Sequence, residues 1–274
     1  MNNYQNYAGF GIAGNFALHL EQAGELEDFK DLEVADENGP KGMFPFYLEA
    51  NSTQLGVYPL SDKYINLPSY EANVQAEPEV GLICEVEYEN EKVVKITPKY
   101  AAPYNDCSIR REGAKKISHK KNWGENSKGL GSKLIELDSF SKGGVLDTYR
   151  IASFMIRDGK VIPYGEDTEV VGYSYFHEKL TSWMINQFQT QVDVGPLEPI
   201  SEYLKEANCP KEFIISIGAT RYTEFGEKNF LKAGDDVVIV LYNGALYRPE
   251  RIEQKVFENS LDVNGISALI QRVQ

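Results

Sequence analysis

The sequence has little of what builds a covalent or thiolate framework. It carries three cysteines, Cys84, Cys107 and Cys209, in 274 residues. None forms a CxxC pair, which leaves a disulfide scaffold without support and points to free thiols in a reducing compartment. Long apolar runs are missing as well: none approaches the roughly 20 residues of a membrane-spanning helix. The opening residues Met1 to Asn6 lack the basic start and apolar stretch of a secretory signal, and the expectation is a soluble cytoplasmic protein. Positive charge is in deficit. Lys and Arg number 28 against 41 Asp and Glu, a net charge of −13. A surface of that sign is unsuited to sequence-independent nucleic-acid binding and to docking on anionic membranes.

What remains is an ordinary globular composition, 42% hydrophobic and 25% charged, long enough to bury an ample core. Gly9, Gly11 and Gly14 spell GxGxxG, but a polar octet rather than a buried strand precedes them, which speaks against a dinucleotide fold. The stretch reads as a short strand, a glycine turn and a helix from about Phe16. Residues 80–98 read as a hairpin turning at Glu89-Asn90-Glu91, and residues 145–172 as two strands joined at Asp158-Gly159. Helical spacing of Phe176, Leu180, Trp183, Met184 and Phe188 predicts a core-facing helix over 175–190. A second helix is expected over 199–207, and β-branched runs at 214–217 and 236–242 read as buried strands. Short strands dominate without regular helix alternation, so the fold class is α+β and mostly β.

Two short words carry the chemistry. Glu77 and Glu79 are two apart, which in a strand puts both side chains on one face. Two carboxylates aimed at one point repel unless a cation lies between them. With Asp106 at the same point, three hard oxygen donors suit Mg²⁺ or Mn²⁺. The plainer reading is a solvated strand face, because Glu85, Glu87 and Glu89 continue the odd register while Val80, Leu82, Cys84 and Val86 fill the even one. A basic stretch over residues 111–133 reads as a mobile loop, serving solubility or covering an anionic ligand.

The order of these words resembles the fumarylacetoacetate hydrolase family over roughly residues 8–244. Asn15-Phe16-Ala17-Leu18-His19 is similar to its Asn-aromatic-Ala-x-His word, Tyr47 to Ser52 to its Phe-x-Lys-x-x-Ser segment, and Ile65 to Pro68 to the strand that follows. Then come Glu77 and Glu79, the Asn-Asp-x-Ser-x-Arg word (Asn105, Asp106, Ser108, Arg110), Trp123 with Lys128-Gly129, Ile217 to Thr220, and Gly234-Asp235. The resemblance implies a mixed β-roll with a few peripheral helices in one domain over residues 1–274. Within it, residues 1–70 would supply N-terminal strands and a helix, 71–244 the catalytic roll and 245–274 a C-terminal extension. It implies a homodimer, and Mg²⁺, Mn²⁺ or Ca²⁺ on Glu77, Glu79 and Asp106.

The family activity so implied is hydrolysis of a carbon–carbon bond in a β-diketo acid such as an acylpyruvate, through a metal-stabilised enolate. His19 would be the base and Lys128 a source of positive charge for the substrate oxygens, with Asn15, Arg110 and Thr220 as binding residues. The chain departs from the pattern at three places, one of them the family's Thr-Gly-Thr-Pro word, which is reduced here to Ile217-Gly218-Ala219-Thr220. Gln22 stands where the family places an acid three residues after the histidine, leaving Glu21 and Glu25 as nearby carboxylates, and Glu49 replaces a lysine. The departure at Gln22 favours an isomerase or decarboxylase that needs no activated water. Those at Gln22 and Glu49 together favour a non-catalytic protein that binds a small dicarboxylate or serves as a structural dimer. His119 and His177 have no motif context and are expected to be structural.

Overall fold

The longest hairpin outruns the alternation that predicts it. In the computed structural model, which describes residues 4–25, 29, 36–49, 51–111 and 113–274, strand Pro78–Glu89 pairs antiparallel with Lys92–Asn105. Asn90 and Glu91 turn it at φ 49° and 63°. Two successive left-handed residues give a turn whose twist matches that of the strands. Asp158 and Gly159, at φ 52° and 73°, do the same between Tyr149–Arg157 and Lys160–Glu169.

Sheet dominates over helix. An eight-stranded mixed sheet runs in the order Gly42–Tyr47, Ala8–Ala13, Glu212–Ser216, Pro78–Glu89, Lys92–Asn105, Lys128–Leu130, Leu60–Ser61, with Ile135–Glu136 also paired to Lys92–Asn105. A five-stranded sheet runs Lys160–Glu169, Tyr149–Arg157, Asp236–Asn243, Ile266–Val273, Tyr64–Ile65. A two-stranded ribbon joins Asn73–Gln75 to Ser108–Arg110. The principal core lies between these layers and includes Phe10, Val80, Leu82, Met155, Ile215 and Leu241. The residues expected as a C-terminal extension instead complete the second sheet, since Ile266–Val273 pairs with Asp236–Asn243 through seven registered positions from Tyr242–Ile266 to Asp236–Arg272.

The expected helices form as His177–Thr190 and Ile200–Glu206. Leu180, Met184 and Phe188 of the first are buried, and Phe188 meets Phe10 edge-on at 4.9 Å. The helix expected from about Phe16 is a single turn, His19–Gln22, because Leu18 lies in the left-handed region at φ 68°. The GxGxxG glycines have packing causes. A Cβ on Gly9 would stand 2.3 Å from the Phe46 ring, and one on Gly11 2.2 Å from Phe44, so the strands approach too closely for a side chain. Among the described residues no helix is long and apolar enough to cross a membrane.

Candidate metal centre

The chain brings Glu77, Glu79 and Asp106 together through backbone pairing. Pro78 lies opposite Asn105 in the hairpin register, and the Asp106 amide donates to the Glu77 carbonyl at 2.9 Å. Asn105 locks the junction. Its Oδ1 accepts from the Glu77 amide at 3.1 Å, and its Nδ2 donates to Gln271 Oε1 at 3.0 Å. One oxygen from each of the three acids lies within 4.8 Å of the others. Glu77 and Glu79 are each 2% exposed and Asp106 0%, so they are not a solvated strand face. The odd face of Pro78–Glu89 is buried through Ile83 and opens to solvent only at Glu85. Glu79 is fixed by a hydrogen bond from the Gly218 amide at 2.8 Å. Gly218, at φ 113°, takes a backbone conformation that suits glycine.

The basic stretch supplies cations to these acids. Lys121 Nζ stands 2.5 Å from Glu77 Oε2 and 2.6 Å from Asp106 Oδ2. Lys128 Nζ is 3.0 Å from Asp106 Oδ1 and donates to the Cys107 carbonyl at 2.9 Å. Arg110 reaches Glu77 at 2.7 Å and Glu25 at 2.8 Å, and Lys120 also meets Glu25 at 2.8 Å. Neither Lys120 nor Lys121 was singled out by motif. The only signal was a cluster of lysines in an acidic chain, and their burial depends on the turn Ser118–Lys121. That turn is tied down rather than loose: Lys116 bonds Asp193 and the Leu197 carbonyl, and Asn122 donates to the carbonyls of Phe46 and Val57.

Burial and neighbouring charge pull the acids apart. Burial pushes the Glu77 carboxyl up, but Lys121 and Arg110 outweigh it and hold the group well below the usual carboxylate range. Glu79 is raised well above that range by burial and by the charges of Asp106 and Glu77. Asp106 is raised by burial despite Lys121 and Lys128. Lys128 is lowered by burial.

His19 is 4% exposed, and its Nδ1 lies 2.9 Å from the Thr220 carbonyl. A carbonyl only accepts, so Nδ1 carries the proton and Nε2 keeps a free lone pair. Burial lowers this imidazole from 6.5 to about 4 against the pull of Glu77, which keeps it neutral at neutral pH. Among the described residues no carboxylate bonds His19. Gln22 is spent on the Tyr222 backbone, donating at 3.1 Å and accepting at 2.9 Å. Glu21 is exposed, and Glu25 is held by Arg110 and Lys120. Glu21 and Glu25, expected as candidate partners of the base, are therefore not brought to it.

The expected binding residues are also engaged by the protein. Asn15 donates to the Tyr175 and Ile217 carbonyls and accepts from the Tyr175 amide; it braces the loop and has no amide hydrogen to spare. Arg110 also donates to Gln75 and Tyr222, so its guanidinium positions acids rather than standing free. Thr220 orients His19 through its carbonyl. His177 pairs with Asp147 at 2.6 Å, and His119 and Glu49 are exposed. A cleft of about 420 Å³ lies on the other side of the Ser118–Lys121 turn, lined by Tyr70, Arg111, His119, Trp123 and Tyr203 among others. Glu77, Glu79 and Asp106 do not line it, and the carboxylate it presents is that of Glu198.

With this geometry in hand, comparisons place the chain. The model of a family of unknown function (DUF5718) matches residues 25–273. The chain belongs to that family. No curated protein matches it. Solved structures similar to this family member include 2-keto-3-deoxy-D-arabinonate dehydratase complexed with magnesium and 2,5-dioxopentanoate, at 15% identity and TM-score 0.54, covering 97% of this chain and 72% of that one. A protein from Yersinia pestis CO92 assigned to the fumarylacetoacetate hydrolase family matches at 12% identity and TM-score 0.54, covering 97% and 93%. The 5-carboxymethyl-2-hydroxymuconate delta-isomerase of Mycobacterium smegmatis matches at 15% identity and TM-score 0.52, covering 97% and 78%. At these identities the likeness shows the fold, which is that of fumarylacetoacetate hydrolase-like proteins.

Proposed function

We propose that this protein is an enzyme of enolate chemistry on a small 2-keto acid, assisted by a divalent ion held by Glu77, Glu79 and Asp106. The observation that carries the reading is the convergence of three buried carboxylates, one of which, Glu77, acts electrostatically on a buried neutral histidine whose Nδ1 is held by the Thr220 carbonyl. The donor set fits an ion. Three hard carboxylate oxygens within 4.8 Å of one another suit a small divalent ion, which would take over contacts now made by Arg110, Lys121 and Lys128. A bound Mg²⁺ or Mn²⁺ supplies positive charge where an enolate oxygen develops. The protein's own part is proton transfer. His19 would take at Nε2 a proton from the carbon beside the substrate ketone, leaving the enolate, while the Thr220 carbonyl holds the ring. Similarity to a dehydratase solved with magnesium and a keto acid supports the substrate class, and similarity to an isomerase supports chemistry without water attack.

A second reading is hydrolytic cleavage of a β-diketo acid such as an acylpyruvate. The free His19 Nε2 suits it, because the same atom can activate water. Similarity to a dehydratase and an isomerase, neither of which cleaves its substrate with water, places it second. The test follows keto acids and an acylpyruvate panel by proton NMR in D₂O with Mg²⁺ or Mn²⁺. Exchange at the carbon beside the ketone, lost in His19→Asn, supports the first reading; cleavage products support the second. Neither signal from any substrate would refute both and leave a non-catalytic small-dicarboxylate binder. The resemblance also carries a homodimer, which sedimentation would check, and fractionation would check the cytoplasmic location expected from the free thiols.

A further inference from the structure

We propose that Lys121 is a tethered cation that occupies the space between Glu77 and Asp106, so that a divalent ion can load only by displacing its ammonium. The inference rests on the metal reading above and adds to it a competitor built into the chain. Geometry carries it. Lys121 Nζ is 2.5 Å from Glu77 Oε2 and 2.6 Å from Asp106 Oδ2, and those two acids belong to the converging set of three. An ion at about 2.1 Å from the same oxygens would sit beside the ammonium nitrogen, where burial leaves the repulsion of two like charges little screened.

The charge arrangement points the same way. Among the described residues, Glu25, Glu77, Glu79 and Asp106 face Arg110, Lys120, Lys121 and Lys128, all joined by the ion pairs above except Glu79, which takes the Gly218 amide. Glu77 and Asp106 therefore already carry cationic partners before any ion is added. Withdrawal of Lys121 frees one oxygen on each of two acids, Glu77 Oε2 and Asp106 Oδ2, while Arg110 and Lys128 keep the others. The side chain can withdraw without unfolding its turn, because Lys116 and Asn122 anchor the turn on either side through bonds that do not involve Lys121. Phe44 backs the ammonium, with its ring centroid 5.3 Å from Nζ, and gives it a resting position rather than an open channel.

The experiment measures Mn²⁺ affinity of the full chain by calorimetry, wild type against Lys121→Met. Binding tighter by tenfold or more in the variant is the expected result. Equal affinities would overturn the competitor while leaving the metal reading intact. No binding to either protein would overturn both, and Lys121 would then be a permanent counter-ion. Lys121→Met strips two buried acids of a partner and can fail to fold, so a second measurement uses the wild type. Acetylation of native protein by an activated ester, read by peptide mass spectrometry, should leave Lys121 protected without metal and labelled at saturating Mn²⁺. Labelling unchanged by Mn²⁺ would overturn the displacement.

Discussion

Lowering the pH from 7 to 5 should cost this protein stability through one histidine, by an amount that can be worked out. His19 is neutral and buried in the folded state, where its value falls from 6.5 to about 4. The unfolded chain therefore binds a proton that the folded chain refuses, and stability falls with pH between those two values. The full effect below pH 4 is about 3 kcal/mol, and the share lost between pH 7 and pH 5 is about 2 kcal/mol. For a chain of this size that is a drop of roughly 4–8 °C in melting temperature. His19→Asn isolates the term. The Asn side-chain N–H sits where Nδ1–H does and can keep the bond to the Thr220 carbonyl, but it does not titrate. The variant will have a cavity cost at every pH, and that cost cancels when each protein is compared with itself. Urea unfolding followed by tryptophan fluorescence, with EDTA present, should show wild type losing about 2 kcal/mol more than His19→Asn over this interval. Equal losses would mean that His19 takes up its proton in the folded state as readily as in the unfolded one, and that it is not the neutral base described above.

Two further outcomes follow from the same site. Asp106→Ala should abolish the rise in melting temperature given by Mg²⁺ with oxalate, and in the absence of metal should cost roughly 3 kcal/mol, because Lys121 and Lys128 lose a buried partner; an undiminished metal response would sink the ligand assignment. Tyr173→Phe removes a hydroxyl that donates to the Gly218 carbonyl at 2.7 Å on the loop that holds Glu79, and should cost about 1 kcal/mol, with an unchanged urea midpoint as the contrary result.

Local patterns made much of the fold readable. The turns at Asn90-Glu91 and Asp158-Gly159 sit at left-handed φ values that Asn, Asp and Gly tolerate better than other residues. The helix His177–Thr190 buries the residues whose spacing predicts it. The single turn at His19–Gln22 was not readable as such, because the apolar run around it is equally compatible with a longer helix and only the left-handed Leu18 breaks it. The glycines near the start matched a nucleotide-binding word for a reason no local pattern reveals, namely the rings of Phe44 and Phe46 lying across them.

By itself the sequence determined which residues share a strand face or a helix stripe, because those relations depend on the backbone's own periods of two and 3.6. It could bring Glu77 and Glu79 to one side of a strand and mark Asp106 as their partner by resemblance. It could not tell Glu77 and Glu79 from Glu85 and Glu87, which share their register. Tertiary structure made that distinction by setting Lys121 and Arg110 on Glu77 and the Gly218 amide on Glu79 and leaving Glu85 and Glu87 in water. It also decided that Lys121, 44 positions from Glu77, is the cation at the centre of the acids. Charges separated by that length of chain meet only when packing closes the loop between them, and in low dielectric the pairing then sets which acids stay ionised.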